Sequence, residues 1–220
     1  MRKVLIINPN SISKLTQHIR NVIERIKCED TYVEVVDFPE GPLSIESEYD
    51  VALVVPRLID TIKREYERFD SFLIACFADP GLEILKEIFD KPIVGMLESS
   101  IHITAMLRER ISIITISEKR VNVKIRYLRS IGLIDRIVSF EPLNMSVIEM
   151  VKNPQKMIEL AVEASLKARS KGAEAVILGC ASMAGYAKQI ENKSGIHTID
   201  PLVIGFKLAE TLADINLKYI

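Results

Sequence analysis

The sequence predicts an α/β fold made of two similar halves, each with a parallel β-sheet, that face each other across a cleft. Two observations predict this fold. Short runs of Val and Ile alternate with amphipathic helical segments along the chain, and the elements of the first half recur in the same order in the second half. Such alternation is typical of βαβ units, in which helices connect parallel strands.

Hydrophobic periodicity and turn residues define the elements of the first half. In order, they are a strand over 4–7, a helix over 11–27, a strand over 32–38, a turn-rich loop over 39–42, a helix over 49–69 and a buried strand over 72–75. Cys76 ends this last strand, and a further helix is expected to begin after Asp79 and Pro80.

Four segments of the first half have counterparts 102 to 108 positions later. The pairs are 4–7 with 112–115, 35–38 with 137–140, 73–76 with 177–180, and 92–95 with 197–200. This repetition indicates a duplicated architecture. We expect the first half to cover residues 1–97, with a C-terminal helix at 205–220 packing back on it, and the second half to cover 98–204.

Composition and charge exclude several classes of protein. The 220 residues are 48% hydrophobic, and the formal net charge is −1 without runs of basic residues, so we expect no nucleic-acid partner. The first apolar run is broken at Asn8, too early for a signal peptide or a spanning helix. We therefore expect a cytoplasmic protein with no membrane partner that takes a small-molecule substrate, and a homo-oligomer is compatible with this sequence.

The cysteines and histidines show no pattern of a disulfide framework or a metal site. The three cysteines are widely spaced without CxxC, and the three histidines have no ligand spacing. We therefore expect no metal and no other cofactor. Cys28 follows the first helix without a counterpart in the second half, so we interpret it as structural.

Cys76 and Cys180 are counterparts in the repeat, and each directly follows an apolar strand. Open α/β sheets bind their ligands at the carboxyl ends of strands. We expect Asp79 and Ser182 to cap helices that begin just after the two cysteines, where the helix dipole would favour a thiolate. One thiolate and one thiol on opposite walls of a cleft can remove and return a proton on opposite faces of a carbon centre.

Five motifs make the chain resemble the Asp/Glu/hydantoin racemase superfamily and, within it, the hydantoin racemases. They are INPNS at 7–11, GPLSIES at 41–47, CFADPG at 76–81, GMLES at 95–99 and GCASMA at 179–184. The resemblance implies that Cys76 and Cys180 are the catalytic acid/base pair. It also implies a set of substrate-binding residues: Asn8, Asn10, Pro42, Ser44, Ile45, Phe77, Thr115, Ile116, Ala181 and Ser182.

Two positions depart from the pattern of these relatives. Ile116 stands where a second threonine is more usual, and Ser182 stands where glycine is more usual. We expect Ile116 to remove one hydrogen bond to the substrate. We expect Ser182 to narrow or polarise the pocket beside Cys180.

The preferred function is racemisation of 5-substituted hydantoins or a related cyclic ureide such as allantoin, without a cofactor. An aspartate or glutamate racemase, or a maleate-isomerase type of the same superfamily, is the nearest alternative. A free amino acid would require cationic partners, and the motif segments contain no arginine. A non-catalytic small-molecule binder remains a further alternative, because two facing α/β lobes also form solute receptors.

Overall fold

The computed structural model describes residues 1–215, and the chain forms two compact units. One unit is Met1–Ser99 together with the segment from Leu202 onward, and the other is Ser100–Pro201. Each unit contains a four-stranded parallel sheet, which confirms the predicted α/β class with two similar parallel-sheet halves. The domain bounds given from the sequence stay a prediction, and residues 216–220 of the expected C-terminal helix lie outside the described residues.

The first unit is a four-stranded sheet in the order β2-β1-β3-β4 with its connecting helices. Its elements are β1 (Arg2–Asn8), α1 (Ser13–Glu24), β2 (Thr31–Asp37), α2 (Glu48–Glu65), β3 (Ser71–Ile74), α3 (Leu82–Ile88), β4 (Ile93–Gly95) and the start of α4 (Met96–Leu107). In the sheet, Ile7 of β1 lies opposite Val36 of β2 and Ile74 of β3.

The second unit repeats this topology with the strand order β6-β5-β7-β8. Its elements are β5 (Ile111–Thr115), α5 (Val121–Ser130), β6 (Ile137–Pro142), α6 (Val147–Lys152), α7 (Pro154–Ser170), β7 (Ala175–Leu178), α8 (Ala187–Ser194) and β8 (His197–Ile199), and α9 (Pro201–Asp214) follows. Short 3-10 segments lie at Glu118–Arg120, Ile134–Arg136 and Ala181–Met183.

The central strands explain why the apolar runs in the sequence are continuous. Every residue of β3, β5 and β7 is buried, because helices cover both faces of a parallel sheet. The first core includes Leu5, Leu58 and Phe72, and the second includes Ile114 and Met157.

The helix ends differ from the predicted ones where local capping or packing decides them. Helix α2 begins at Glu48 because Ser47 and Asp50 form a reciprocal capping box, in which each side chain accepts the other residue's backbone N–H. It ends at Glu65, and Phe69, which the periodicity had assigned to the helix, instead packs in the core beyond it. The boundary between the two units falls within α4, between Ser99 and Ser100, and residues 96–100 are helical.

Candidate functional site

Cys76 lies in a tight turn attached directly to the central strand of its sheet. The Ala75 N–H donates to the Ile7 carbonyl at 2.8 Å, which extends the pairing of β3 with β1 by one residue. The Cys76 N–H then donates to the Ile74 carbonyl at 2.9 Å, and the Cys76 carbonyl accepts from the Asp79 N–H at 3.0 Å. These three bonds determine where the cysteine leaves the sheet.

Cys180 lies in a turn with the same three hydrogen bonds. The Gly179 N–H donates to the Ile114 carbonyl at 2.7 Å, and the Cys180 N–H donates to the Leu178 carbonyl at 2.9 Å. The Cys180 carbonyl accepts from the Met183 N–H at 3.1 Å. The duplication inferred from the apolar runs therefore extends to the backbone bonds around both cysteines, and both cysteines are partly exposed.

The two residues after each cysteine leave their backbone N–H groups available. Within residues 1–215, the N–H groups of Phe77 and Ala78 donate no hydrogen bond, and neither do those of Ala181 and Ser182. Successive N–H groups of a turn that lack partners form a concave site for negative charge. Each cysteine is therefore followed by a pair of donors that a ligand oxygen can use.

The prediction that Asp79 and Ser182 cap helices next to the cysteines is wrong. Helix α3 begins six residues after Cys76, with Gly81 at its N-cap and no capping side chain. After Cys180 comes a single 3-10 turn, whose N-cap is Cys180 itself without a side-chain bond. Since no α-helix begins at either cysteine, the helix dipole does not account for a thiolate there.

Asp79 instead reaches the helix that follows the next strand. Its carboxylate accepts the backbone N–H groups of Leu97 at 3.1 Å and of Glu98 at 2.8 Å, in the first turn of α4. Asp79 has a positive φ of 44°, a backbone conformation that Asp tolerates better than most residues. A Cβ at Gly95 would overlap the Asp79 carboxylate, so glycine is required there. The side chain thus ties the Cys76 turn to the start of α4.

Burial raises the pKa of the Asp79 carboxyl to about 7. The residue is partly exposed, but its carboxyl group is enclosed by protein. The N–H donors of Glu98 and Leu97 lower this pKa, whereas the negative charge of Glu98 raises it further. Lys86 forms an ion pair with Glu98. Burial raises this pKa by more than the backbone donors lower it, so the Asp79 carboxyl titrates near neutral pH.

The second unit makes an equivalent connection, but there the carboxylate follows the fourth strand and the N–H donor lies in the cysteine loop. There, Asp200 follows β8, and its carboxylate accepts the Gly185 N–H in the loop after Cys180 at 2.6 Å. Asp200 occupies the position that corresponds to Gly95 in the repeat. In both units a carboxylate connects the cysteine loop with the end of the fourth strand, but it comes from the loop in one unit and from the strand end in the other.

Ser182 is placed directly against the catalytic candidate Cys180. Its hydroxyl lies 3.0 Å from the Cys180 Sγ and 3.1 Å from the Met150 Sδ, and the Ser182 side chain is buried. Ala181, which lies between Cys180 and Ser182 in the chain, is also buried. The expectation that Ser182 polarises the surroundings of Cys180 therefore has a concrete contact.

Asn8 and Asn10 belong to a buried polar network at the end of β1. The Asn8 Nδ2 donates to the Asn10 Oδ1 at 3.1 Å and to the Thr16 Oγ1 at 3.0 Å, and Thr16 in turn donates to Asp37 at 2.6 Å. The Asn10 Oδ1 also accepts the N–H of Ile12. Within the described part of the chain, the Asn8 Oδ1 is buried without a hydrogen-bond partner. This acceptor, next to the Cys76 turn, suits a donor on a ligand.

The loop over 42–45 is held in place by contacts with the rest of the first unit. Pro42 is tied to the β1 turn, because its carbonyl accepts the Ser11 N–H at 3.1 Å. Ser44 donates its hydroxyl to Glu46 at 2.7 Å. Ile45 packs in the core of the first unit. The Ile45 side chain therefore anchors the loop to the core, and its role as a substrate contact stays a prediction.

The predicted residues after β5 are partly committed to the protein itself. Thr115 is buried, and its hydroxyl donates to the Ser117 carbonyl at 3.1 Å. Ile116 packs against the second core, and its carbonyl accepts the Met145 N–H at 3.2 Å. Phe77, which follows the other cysteine, is buried as well.

Three residues of the site region were missed by the sequence reasoning. Thr16 positions Asn8, Met150 contacts Ser182, and Arg120 is a buried guanidinium five residues after the end of β5. A single Thr or Met in a helical stretch carries no distinctive signal in the sequence, so Thr16 and Met150 could not have been found from it. Arg120 could have been, because it is a charged residue close to the end of an apolar strand.

Two absences hold for residues 1–215. No group of three or more His, Cys, Asp and Glu side chains there has the arrangement of a metal site. No helix in the same range combines the length and apolar composition that crossing a bilayer requires.

Comparisons with known proteins agree with one another over almost the whole chain. The family model described as Asp/Glu/Hydantoin racemase matches residues 4–209. A hydantoin racemase of Pseudomonas sp. (strain NS671) is 36% identical over 218 residues, which cover 98% of this chain and 88% of that protein. An allantoin racemase structure from Klebsiella pneumoniae has a TM-score of 0.94 at 24% identity, and the match covers 100% of this chain and 91% of that one. Another from Pseudomonas fluorescens has a TM-score of 0.92 at 25% identity and covers 99% and 93%, respectively.

Asp79→Asn should flatten the pH dependence of stability. The folded pKa of about 7 lies above the ordinary value of 3.8, so between these pH values the folded state keeps a proton that the unfolded state has lost. This carboxyl therefore reduces the free energy of unfolding as pH rises from 4 to 7, by on the order of 2–4 kcal/mol. Urea unfolding at pH 5 and pH 7.5 should show this decline in the parent and not in the variant. Equal declines in both would contradict the assignment.

Gly95→Ala should destabilise the protein through the Asp79 carboxylate. Overpacking of this kind costs about 1–3 kcal/mol, and we expect a corresponding fall in the denaturant midpoint. The matched control is the same change in an Asp79→Gly background, where the clash with the carboxylate is absent and the cost should be smaller. An identical cost in both backgrounds would show that another contact is responsible.

Proposed function

The chain belongs to the Asp/Glu/hydantoin racemase family, as its motifs suggested, and on this premise we propose that it racemises 5-substituted hydantoins or a related cyclic ureide such as allantoin. A racemase is an isomerase, and this broad class follows from the family. The finer proposal is that Cys76 and Cys180 transfer the proton without a cofactor. The observation that carries it is the identical hydrogen-bonded turn around both cysteines, at the ends of equivalent strands.

The chemistry needs two groups that exchange one proton each. The carbon between the ring nitrogen and the carbonyl loses its proton to one sulfur, which must be a thiolate, and the ring becomes a planar enolate. The other sulfur, a thiol, donates its proton to the opposite face, which gives the other enantiomer. The first sulfur ends as a thiol and the second as a thiolate, so the reverse reaction begins with the roles exchanged.

The available N–H groups after the cysteines support the stabilisation of the enolate. Negative charge that develops on the carbonyl oxygen requires preorganised donors, and such donors commonly contribute several kcal/mol to catalysis. Phe77 and Ala78 offer two N–H groups in the first unit, and Ala181 and Ser182 offer two in the second. With no helix beginning at either cysteine, these turn amides are the donors we assign to this role.

Asn8 supports a ureide as the substrate. A hydantoin ring presents N–H donors beside carbonyl acceptors, and the Asn8 Oδ1 is a buried acceptor that no described residue uses. Its orientation is determined by the bonds of its Nδ2 to Asn10 and Thr16. We assign it to a ring N–H of the substrate.

A second candidate function is racemisation of an acidic amino acid, and Arg120 is the observation that favours it. A free amino acid brings a carboxylate that requires a cation, and Arg120 is buried shortly after β5. Arg57, by contrast, is directed to Glu40 in an exposed ion pair. Substrate tests therefore include aspartate and glutamate beside the ureides.

Cys76→Ser and Cys180→Ser should each lower the rate of racemisation by about 10²–10⁴-fold, because a serine hydroxyl, unlike a thiol, does not ionise near neutral pH. The assay follows optical rotation and the loss of the α-proton signal in deuterated water, with L- and D-5-substituted hydantoins, allantoin, aspartate and glutamate. Cys28→Ser is the matched control and should keep the parent rate, since Cys28 is exposed and its backbone N–H is bound to Glu210.

Racemisation at the parent rate by either active-site variant would disprove the two-thiol mechanism. A variant that still exchanges the α-proton of one enantiomer would identify the sulfur that serves that face. If the parent protein binds these compounds without changing their optical rotation, and Cys76→Ser binds them equally well, the protein is a binder and not an enzyme.

A further inference from the structure

A buried hydroxyl lies between two sulfur atoms beside Cys180. The Ser182 Oγ is 3.0 Å from the Cys180 Sγ and 3.1 Å from the Met150 Sδ. Ser182 is 4% exposed and Met150 is 1% exposed, so water does not compete freely for this hydroxyl. The position of Ser182 in the first turn is occupied by Ala78, which has no hydroxyl.

The position of Met150 follows from local structure. It lies on the short helix α6, which begins with a capping box in which Ser146 accepts the Glu149 N–H and Glu149 accepts the Ser146 N–H. Met150 packs in the second core, against which Cys180 also packs. The thioether is therefore held next to Ser182 by the fold.

Counting protons shows that the hydroxyl cannot donate to both sulfurs at once. A serine has one O–H to donate and two lone pairs to accept with. A thiolate is a charged acceptor, and hydrogen bonds to charged groups are about twice as strong as neutral ones. A thioether is a weak acceptor, and a thiol can itself donate weakly. The direction of the Ser182 hydroxyl therefore depends on the protonation state of Cys180.

We propose that Ser182 is a positioning residue that serves both protonation states of Cys180. When Cys180 is a thiolate, the Ser182 hydroxyl donates to its sulfur. When Cys180 is a thiol, the hydroxyl rotates to donate to the Met150 Sδ and accepts the S–H. This inference rests on the proposed function, because two-thiol racemisation requires Cys180 to alternate between the two forms in successive turnovers.

Steady-state kinetics cannot test this proposal by comparing directions, because enantiomers have equal free energy and kcat/KM is therefore equal in both directions in every variant. The test instead measures the ionisation of the Cys180 thiol. The parent chain for the test carries Cys28→Ser and Cys76→Ser, so that Cys180 is its one thiol. The rate of alkylation by iodoacetamide is measured from pH 5 to pH 10, and the midpoint of the profile reports the conversion to thiolate.

Two variants should shift this midpoint in opposite directions. Ser182→Ala removes the donor to the thiolate and should raise the midpoint by about one pH unit, which is a tenfold loss of rate at pH values below both midpoints. Met150→Leu conserves volume but removes the competing acceptor, so the hydroxyl is left to Cys180 and the midpoint should fall by about half a unit. A merely structural role for Ser182 would not produce shifts of opposite sign.

Control variants separate the direct effect from general disturbance. Ser182→Thr keeps the hydroxyl and should keep the midpoint. In a chain that retains only Cys76, with Cys28→Ser and Cys180→Ser, the change Ser182→Ala should leave the midpoint of Cys76 in place. An unchanged midpoint for Cys180 in Ser182→Ala, or a rise in Met150→Leu, would overturn the proposal, and Met150→Leu decides it if Ser182→Ala does not fold.

The outcomes also distinguish this inference from the proposed function. Opposite shifts in a protein that racemises none of the compounds would support the contact between Ser182 and Cys180 and refute its role in turnover. Racemisation with unmoved midpoints would leave the enzyme as proposed and refute the role of Ser182.

Discussion

The position of each cysteine depends on one backbone hydrogen bond, from the residue before it to the central strand of its sheet. Ala75 makes this bond to Ile7, and Gly179 makes it to Ile114. Because Ile7 and Ile114 are fully buried, the acceptor carbonyls cannot shift without disturbing the core. A side chain at the carboxyl end of such a strand is therefore held by the rigid interior of the sheet, as the proposed proton transfer requires.

The surroundings of the two cysteines differ more than their backbones. Ala78 follows two residues after Cys76, whereas Ser182 occupies that place after Cys180 and brings a hydroxyl to the sulfur. After β1, the side chains of Asn8, Asn10 and Thr16 bond to one another. After β5, the Thr115 hydroxyl bonds to a backbone carbonyl instead, and Ile116 packs against the core. The two cysteines therefore share a backbone conformation but have chemically different neighbours.

The sequence was sufficient for the features that depend on neighbours in the chain and insufficient for those that depend on packing. The apolar runs before Cys76 and Cys180 predicted buried strands, because burial on both faces selects uninterrupted Val and Ile. Asp79 was assigned to the helix directly after it, whereas it binds α4, because the parallel sheet brings the ends of β3 and β4 side by side. Met150 lies 30 residues before Cys180, and nothing in its helical segment indicated that its sulfur would contact Ser182.

The connecting carboxylate comes from the cysteine loop in the first unit and from the end of the fourth strand in the second, which limits how the two halves can be recombined. Asp79 occupies the space that a side chain at Gly95 would need, while Asp200 stands at the position equivalent to Gly95. A chimera that carries the cysteine loop of the first half into the second would bring two acidic groups together, and the reciprocal graft would bring none. The two halves are therefore not interchangeable at this point, and a chimera must take the cysteine loop and the end of the fourth strand from the same half.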